Sequence, residues 1–124
     1  MVTSQWRVLI VEDERDSIQM VSDLLRYHGC EVHVARNGRE CLAALDELDP
    51  TLVIMDLAMA EMDGWETLAE IRANSRTAHI PVVAITAFHS IGVARDAIRA
   101  GFDAYHPKPL DPTTFVDHLV ELVE

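Results

Sequence analysis

Cysteine is scarce in this chain. Cys30 and Cys41 are the only two, and they lack the short spacing of a metal knuckle or a redox motif, so both read as buried thiols. Basic residues are few as well: ten Lys and Arg against twenty-one Asp and Glu leave a formal charge of −11. A nucleic-acid module normally shows a basic face, so direct nucleic-acid binding is not expected. No apolar run approaches the length of a membrane span, and the first residues carry no signal-peptide pattern. The expectation is a cytoplasmic protein without a membrane role. Pro and Gly, five of each, are dispersed, and no linker, repeat or low-complexity stretch divides the chain. One domain over 1–124 is predicted, long enough for a core of its own.

What is present is a series of short apolar runs that end in polar groups. Thr51-Leu52-Val53-Ile54-Met55-Asp56 is the most informative. An unbroken apolar run bounded by Pro50 and turn residues reads as a strand buried on both faces of a parallel sheet. Val8-Leu9-Ile10-Val11 ends in Glu12-Asp13-Glu14, and Val82-Val83-Ala84-Ile85 ends in Thr86. Glu31 to Ala35 alternates Val32 and Val34 with polar neighbours, a more exposed strand. A brief strand from Asp103 to His106 runs into Pro107-Lys108-Pro109.

Helical spacing fills the intervals. Ile18, Val21, Leu24 and Leu25 mark a helix over Arg15 to His28, with Gly29 at its end. Asn37, with Glu40 three residues on, starts a second helix whose inner face is Cys41, Ala44, Leu45 and Leu48. Trp65, Leu68 and Ile71 define a third, with Trp65 as packing. Ile91, Ala94, Ala97 and Ile98 mark a fourth, stopped by Gly101. Asp111-Pro112 opens the last helix. Its Phe115, Leu119 and Leu122, with Val116, Val120 and Val123 beside them, make a broad apolar arc. That arc reads as a generous core contact or as a margin left for docking. Strand and helix alternate five times, which predicts an α/β fold with a parallel sheet and helices on both faces.

The strand ends deliver Glu12, Asp13, Asp56, Thr86 and Lys108 to one edge of that sheet, where such folds place ligands. Three carboxylates there repel one another unless a cation neutralises them, and all-oxygen donors suit magnesium. A hydroxyl and an ammonium facing them make sense if the site also holds a phosphoryl group, with one carboxylate as nucleophile.

At this point the chain resembles a response-regulator receiver domain of two-component signalling. The resemblance rests on Val8-Leu9-Ile10-Val11-Glu12-Asp13, Val53-Ile54-Met55-Asp56, Met62-Asp63-Gly64, Ile85-Thr86-Ala87, and Gly101-Phe102-Asp103-Ala104-Tyr105 with Lys108-Pro109. The segment from Ala78 to Phe88 is most similar to stand-alone cell-cycle regulators and hybrid-kinase receivers. The resemblance implies a (βα)5 doubly wound, flavodoxin-like three-layer sandwich with a five-stranded parallel sheet in the order 2-1-3-4-5. It implies Asp56 as phosphoacceptor, and Mg2+ bound by Asp13, Asp56 and the backbone carbonyl of Ala58, with Glu12 acting through water. Lys108 would pair with Asp56 or the phosphoryl group, Thr86 and Tyr105 would act as switch residues, and the Lys108–Pro109 bond would be cis.

The implied partners are a sensor histidine kinase or a histidine phosphotransfer protein, and a downstream protein met through the fourth helix, fifth strand and fifth helix. The oligomeric expectation is a monomer or weak homodimer. The chain would not be an enzyme beyond promoting its own phosphorylation and slow autodephosphorylation. A relay role, passing the phosphoryl group to a phosphotransfer protein, is the alternative.

Two departures and one absence complete the reading. Ala60 stands where the family usually has proline, predicting a softer loop, and Pro107 before Lys108 is less usual. Ala58 cannot orient an attacking water and Phe88 would shield it, so a long-lived acyl phosphate is expected. No pair among the six histidines has metal-ligand spacing, and all are read as surface groups or local partners. A flavodoxin-like electron carrier is disfavoured by Glu12-Asp13-Glu14 where a phosphate cradle would lie. An aspartate-nucleophile phosphohydrolase is disfavoured by Ala58 where a second carboxylate is usual.

Overall fold

The apolar runs become five strands: β1 (Arg7–Val11), β2 (Glu31–Ala35), β3 (Leu52–Asp56), β4 (Val82–Thr86) and β5 (Ala104–Pro107). In the computed structural model, which describes residues 2–124, they form one parallel sheet in the order β2-β1-β3-β4-β5. Helices α1 (Arg15–Tyr27), α2 (Gly38–Glu47), α3 (Gly64–Ala73), α4 (Ile91–Ala100) and α5 (Pro112–Val123) make the crossovers. A short 3-10 turn, Val2–Gln5, precedes β1. The architecture has the parallel sheet and two helical layers that the strand–helix alternation predicted, in the doubly wound order that the resemblance implied. No described helix is long and apolar enough to cross a membrane.

Every residue of β3 and β4 is buried, because alternate side chains enter two separate cores. On one face Leu9, Val53, Met55 and Ala84 pack with residues of α2 and α3 such as Cys41, Leu68 and Ile71. On the other, Val8, Ile10, Ile54 and Ile85 pack with Val21 and Leu25 of α1 and Phe115 and Leu119 of α5. The edge strand β2 keeps the exposure its alternating pattern predicted. Trp65 packs edge-on against Phe102, 5.8 Å between ring centroids.

The helix starts follow local chemistry. Asn37, Asp63, Ser90 and Asp111 each accept a backbone N–H of the first turn. At α2 the reciprocal half of the expected box is displaced: Glu40 accepts from the Arg36 N–H at 3.0 Å and from the Asn37 side-chain amide at 3.4 Å, and not from the Asn37 backbone N–H. At α3 the full box forms between Asp63 and Glu66. Gly101 caps α4 at φ 114°, a left-handed conformation that favours glycine.

The fourth helix forms where its spacing marked it and stops at Gly101, but most of its apolar stripe is uncovered. Of Ile91, Ala94, Ala97 and Ile98, only Ala97 is buried; Ile91 is 70% and Ile98 53% exposed. A periodic apolar stripe reveals that a helix has an apolar side, not what covers that side. Here small Ala97 and half-buried Val93 meet the body of the protein, and the isoleucines face out. The last helix resolves the other way. Phe115, Val116 and Leu119 are buried, and Val120, Leu122 and Val123 pack against the same core.

Candidate functional site

β1 and β3 are neighbours in the sheet, so their C-terminal ends deliver carboxylates side by side. The Glu12 carboxylate is fully buried and turns back on its own chain. Its Oε2 accepts from the Asp13 and Glu14 N–H groups at 3.2 and 3.3 Å. Its Oε1 takes the Lys108 ammonium at 2.6 Å. Asp56, 5% exposed, accepts the Ala58 N–H at 3.0 Å on Oδ1 and Lys108 Nζ at 3.2 Å on Oδ2. Asp13 is exposed, and its Oδ2 accepts the Ala60 N–H at 3.1 Å. Oxygen atoms of Glu12, Asp13 and Asp56 all lie within 4.8 Å of one another.

Lys108 reaches the cluster from the end of β5. Its backbone N–H donates to the Thr86 carbonyl at 2.8 Å, and the peptide bond to Pro109 is cis. Three carboxylates against one ammonium leave the pocket negative. Burial, and next the hydrogen bond with Asp56, push Glu12 up to about 7 despite the opposing pull of Lys108. For Lys108, burial acts downward, but Glu12 and Asp56 more than offset it and its ammonium titrates above the ordinary lysine range. An all-oxygen, electron-rich cluster that is part buried and part open fits a hard divalent cation.

The remaining predicted residues stand around this centre. Ala58 is exposed, in the loop beyond β3, with its N–H on Asp56. Thr86 is buried at the end of β4, one residue past the Ile85 that pairs with Asp56. Its Oγ1 accepts the Phe88 N–H at 3.1 Å and makes no hydrogen bond to the acidic cluster. Tyr105 is also apart from the cluster: its hydroxyl meets His89 Nδ1 at 2.8 Å. Phe88, expected to shield the site, is 72% exposed.

Two residues named from the sequence contribute in ways the sequence reading did not give. Ala60 was noted for lacking proline's stiffness, yet its consequence is an added donor, since proline has no N–H to offer Asp13. Gly64 was read as part of a motif. Structurally, a Cβ at Gly64 would stand 2.6 Å from the Asp56 carbonyl oxygen, so glycine lets α3 begin directly against the acceptor strand. The capping box of Asp63 and Glu66 was not read from the sequence, although an Asp followed three residues later by a Glu is the local signal for it.

Comparison with known proteins agrees with this geometry. Residues 8–120 match the family described as the response regulator receiver domain. The polar-differentiation response regulator DivK of Brucella anthropi is 34% identical over 110 residues, covering 89% of each chain. Regulatory protein AtoC of Escherichia coli is 39% identical over 105 residues; the match takes in 85% of this chain and 22% of that longer protein. The chemotaxis protein CheY4 of Vibrio cholerae superposes with a TM-score of 0.87 at 30% identity, covering 94% of this chain and 98% of that one.

Proposed function

Because this chain belongs to the response regulator receiver domain family of two-component signalling, we propose that it is a phosphoacceptor switch whose acceptor is Asp56. The observation that carries this reading is the Asp56 carboxylate itself. It is almost buried, fixed on Oδ1 by the Ala58 N–H and on Oδ2 by Lys108 at 3.2 Å, within the only acidic cluster among the described residues that fits a cation. The phosphodonor is a phosphohistidine on a sensor kinase or a phosphotransfer protein. An Asp56 oxygen bonds to phosphorus as the N–P bond breaks, and the departing imidazole keeps the electron pair and is protonated.

Asp13, Asp56 and the Ala58 carbonyl, with Glu12 through water, would hold Mg2+. When bound, that ion offsets charge on the transferring oxygens. Lys108, already shared between Glu12 and Asp56, would follow the new charge onto the phosphoryl group. The Thr86 hydroxyl, which accepts the Phe88 N–H, would donate its proton to a phosphoryl oxygen, and Tyr105 would leave His89 and turn inward, giving a two-state change at β4 and β5. Output would pass through protein contacts at the α4–β5–α5 face, where Phe88, Ile91 and Ile98 lie exposed. No turnover of an external substrate is assigned.

The test is incubation with a small phosphodonor and Mg2+, followed by intact mass. Wild type should carry one phosphoryl adduct, lost in Asp56→Asn and suppressed by a chelator. An adduct that survives in Asp56→Asn overturns the reading. The adduct on wild type should be long-lived, and Ala58→Asn, which supplies a group able to hold water near Asp56, should shorten its life.

A further inference from the structure

The loop from β4 into α4 is held by the two residues proposed as switches. The Phe88 N–H donates to Thr86 Oγ1 at 3.1 Å. His89 Nδ1 meets the Tyr105 hydroxyl at 2.8 Å, with ring centroids 5.6 Å apart and 36° between the planes. The Ser90 N–H is aimed at the same hydroxyl: burial raises the proton affinity of Tyr105 above that of an ordinary tyrosine, and this N–H opposes it. Ser90 in turn caps α4. Its Oγ accepts the Val93 N–H and its carbonyl the Ala94 N–H, both at 3.0 Å. One phenol on β5 therefore meets the two residues from which α4 springs. Little else fastens this helix, since Ala97 is its only buried side chain among the described residues.

We propose that His89 is a positioning residue of the switch: it holds Tyr105 at the loop and clasps the start of α4 to β5 until Asp56 is phosphorylated. The signalling sense of this clasp rests on the reading of Asp56 as phosphoacceptor; the clasp itself does not. Tyr105 occupies one side-chain rotamer at a time, so a ring that meets His89 and Ser90 is not free to turn inward. A contact made in only one of two states shifts their ratio by its own free energy. For a single hydrogen bond between neutral groups that is about twofold to tenfold, enough to set the resting level of a switch and too little to lock it. His89 is exposed, and Tyr105 is its only hydrogen-bond partner among the described residues. Its imidazole fills no core, so core packing does not account for its place.

The experiment pairs amide hydrogen exchange in unphosphorylated protein with phosphorylation of the same variants by a small phosphodonor and Mg2+. His89→Ala, at an exposed position where folding is not at stake, should speed exchange of the Val93 and Ala94 amides about twofold to tenfold. Tyr105→Phe should do at least as much. The double variant should match Tyr105→Phe, because the hydroxyl that His89 meets is already gone. His89→Asn, which places an amide near the position of Nδ1, should restore much of the protection. His89→Ala should also be phosphorylated faster by a similar factor, since more molecules stand in the inward form. Unchanged exchange in His89→Ala overturns the clasp, and so does a further rise when His89→Ala is added to Tyr105→Phe. Faster exchange with an unchanged rate of phosphorylation overturns the role in the switch. If wild type takes no phosphoryl group, the Asp56 reading falls, and the clasp stands or falls by exchange.

Discussion

Glu12 has no exposed surface, yet it must share one ammonium with Asp56. Its folded-state value of about 7 lies above the ordinary 4.5, so the folded protein binds this proton more tightly than the unfolded chain does. The stabilising contribution is therefore complete below about 4.5 and is lost as pH rises through about 7. Cation-free protein should show a urea midpoint that falls across that window, and Glu12→Gln should flatten the slope. Because a cation prefers the ionised carboxylate, Mg2+ affinity should rise over the same range. The identity of Glu12 as a site residue was legible from its place at the end of an apolar run. Its proton affinity was not, because it arises from burial beside Asp56, a residue distant in sequence. Ala60 teaches a similar lesson: a missing proline looks like lost rigidity until the backbone N–H it restores is found on Asp13.

At the scale of elements, α3 is tied to the site at its start and to the sheet at its end. Gly64→Ala would set a Cβ against the Asp56 carbonyl and the Leu57 Cα, at 2.6 and 2.9 Å. Both are backbone atoms that cannot swing aside, so a loss on the order of 1–3 kcal/mol is expected by chemical denaturation. At the other end, Arg72 donates to the carbonyls of Ala78, Ile80 and Gly101 and to Asp103, which also accepts the Val82 N–H. Arg72→Ala should cost roughly 2 kcal/mol or more by stranding those carbonyls. Nothing local in the sequence marks this arginine. Strands and caps were legible because each is written in a few adjacent residues: an unbroken Val-Ile run, or an Asp or Asn before a helix. Arg72 serves four partners that only the finished fold assembles. For the same reason the α4 stripe was legible and its direction was not.

Taken whole, the parallel sheet with helices on both faces follows from apolar runs and short connections, the strand order was implied by the family resemblance alone, and the site follows from what ends each run. The His89–Tyr105 contact does not, since β5 must dock beside β4 before the two side chains meet. Anchorage is distributed unevenly over the molecule. Helices α1, α3 and α5 each set several side chains fully into a core, whereas α4 contributes only Ala97. A helix held so lightly has a low free energy of local opening even when the global stability is high. Amide hydrogen exchange should therefore release α4 first among these helices, well before the global limit; protection equal to that of α1 or α5 would contradict this. If α4 opens so readily, the few kcal/mol available from one new charged group at Asp56 suffice to redistribute its conformations, and no strain need travel through the rigid cores to reach it.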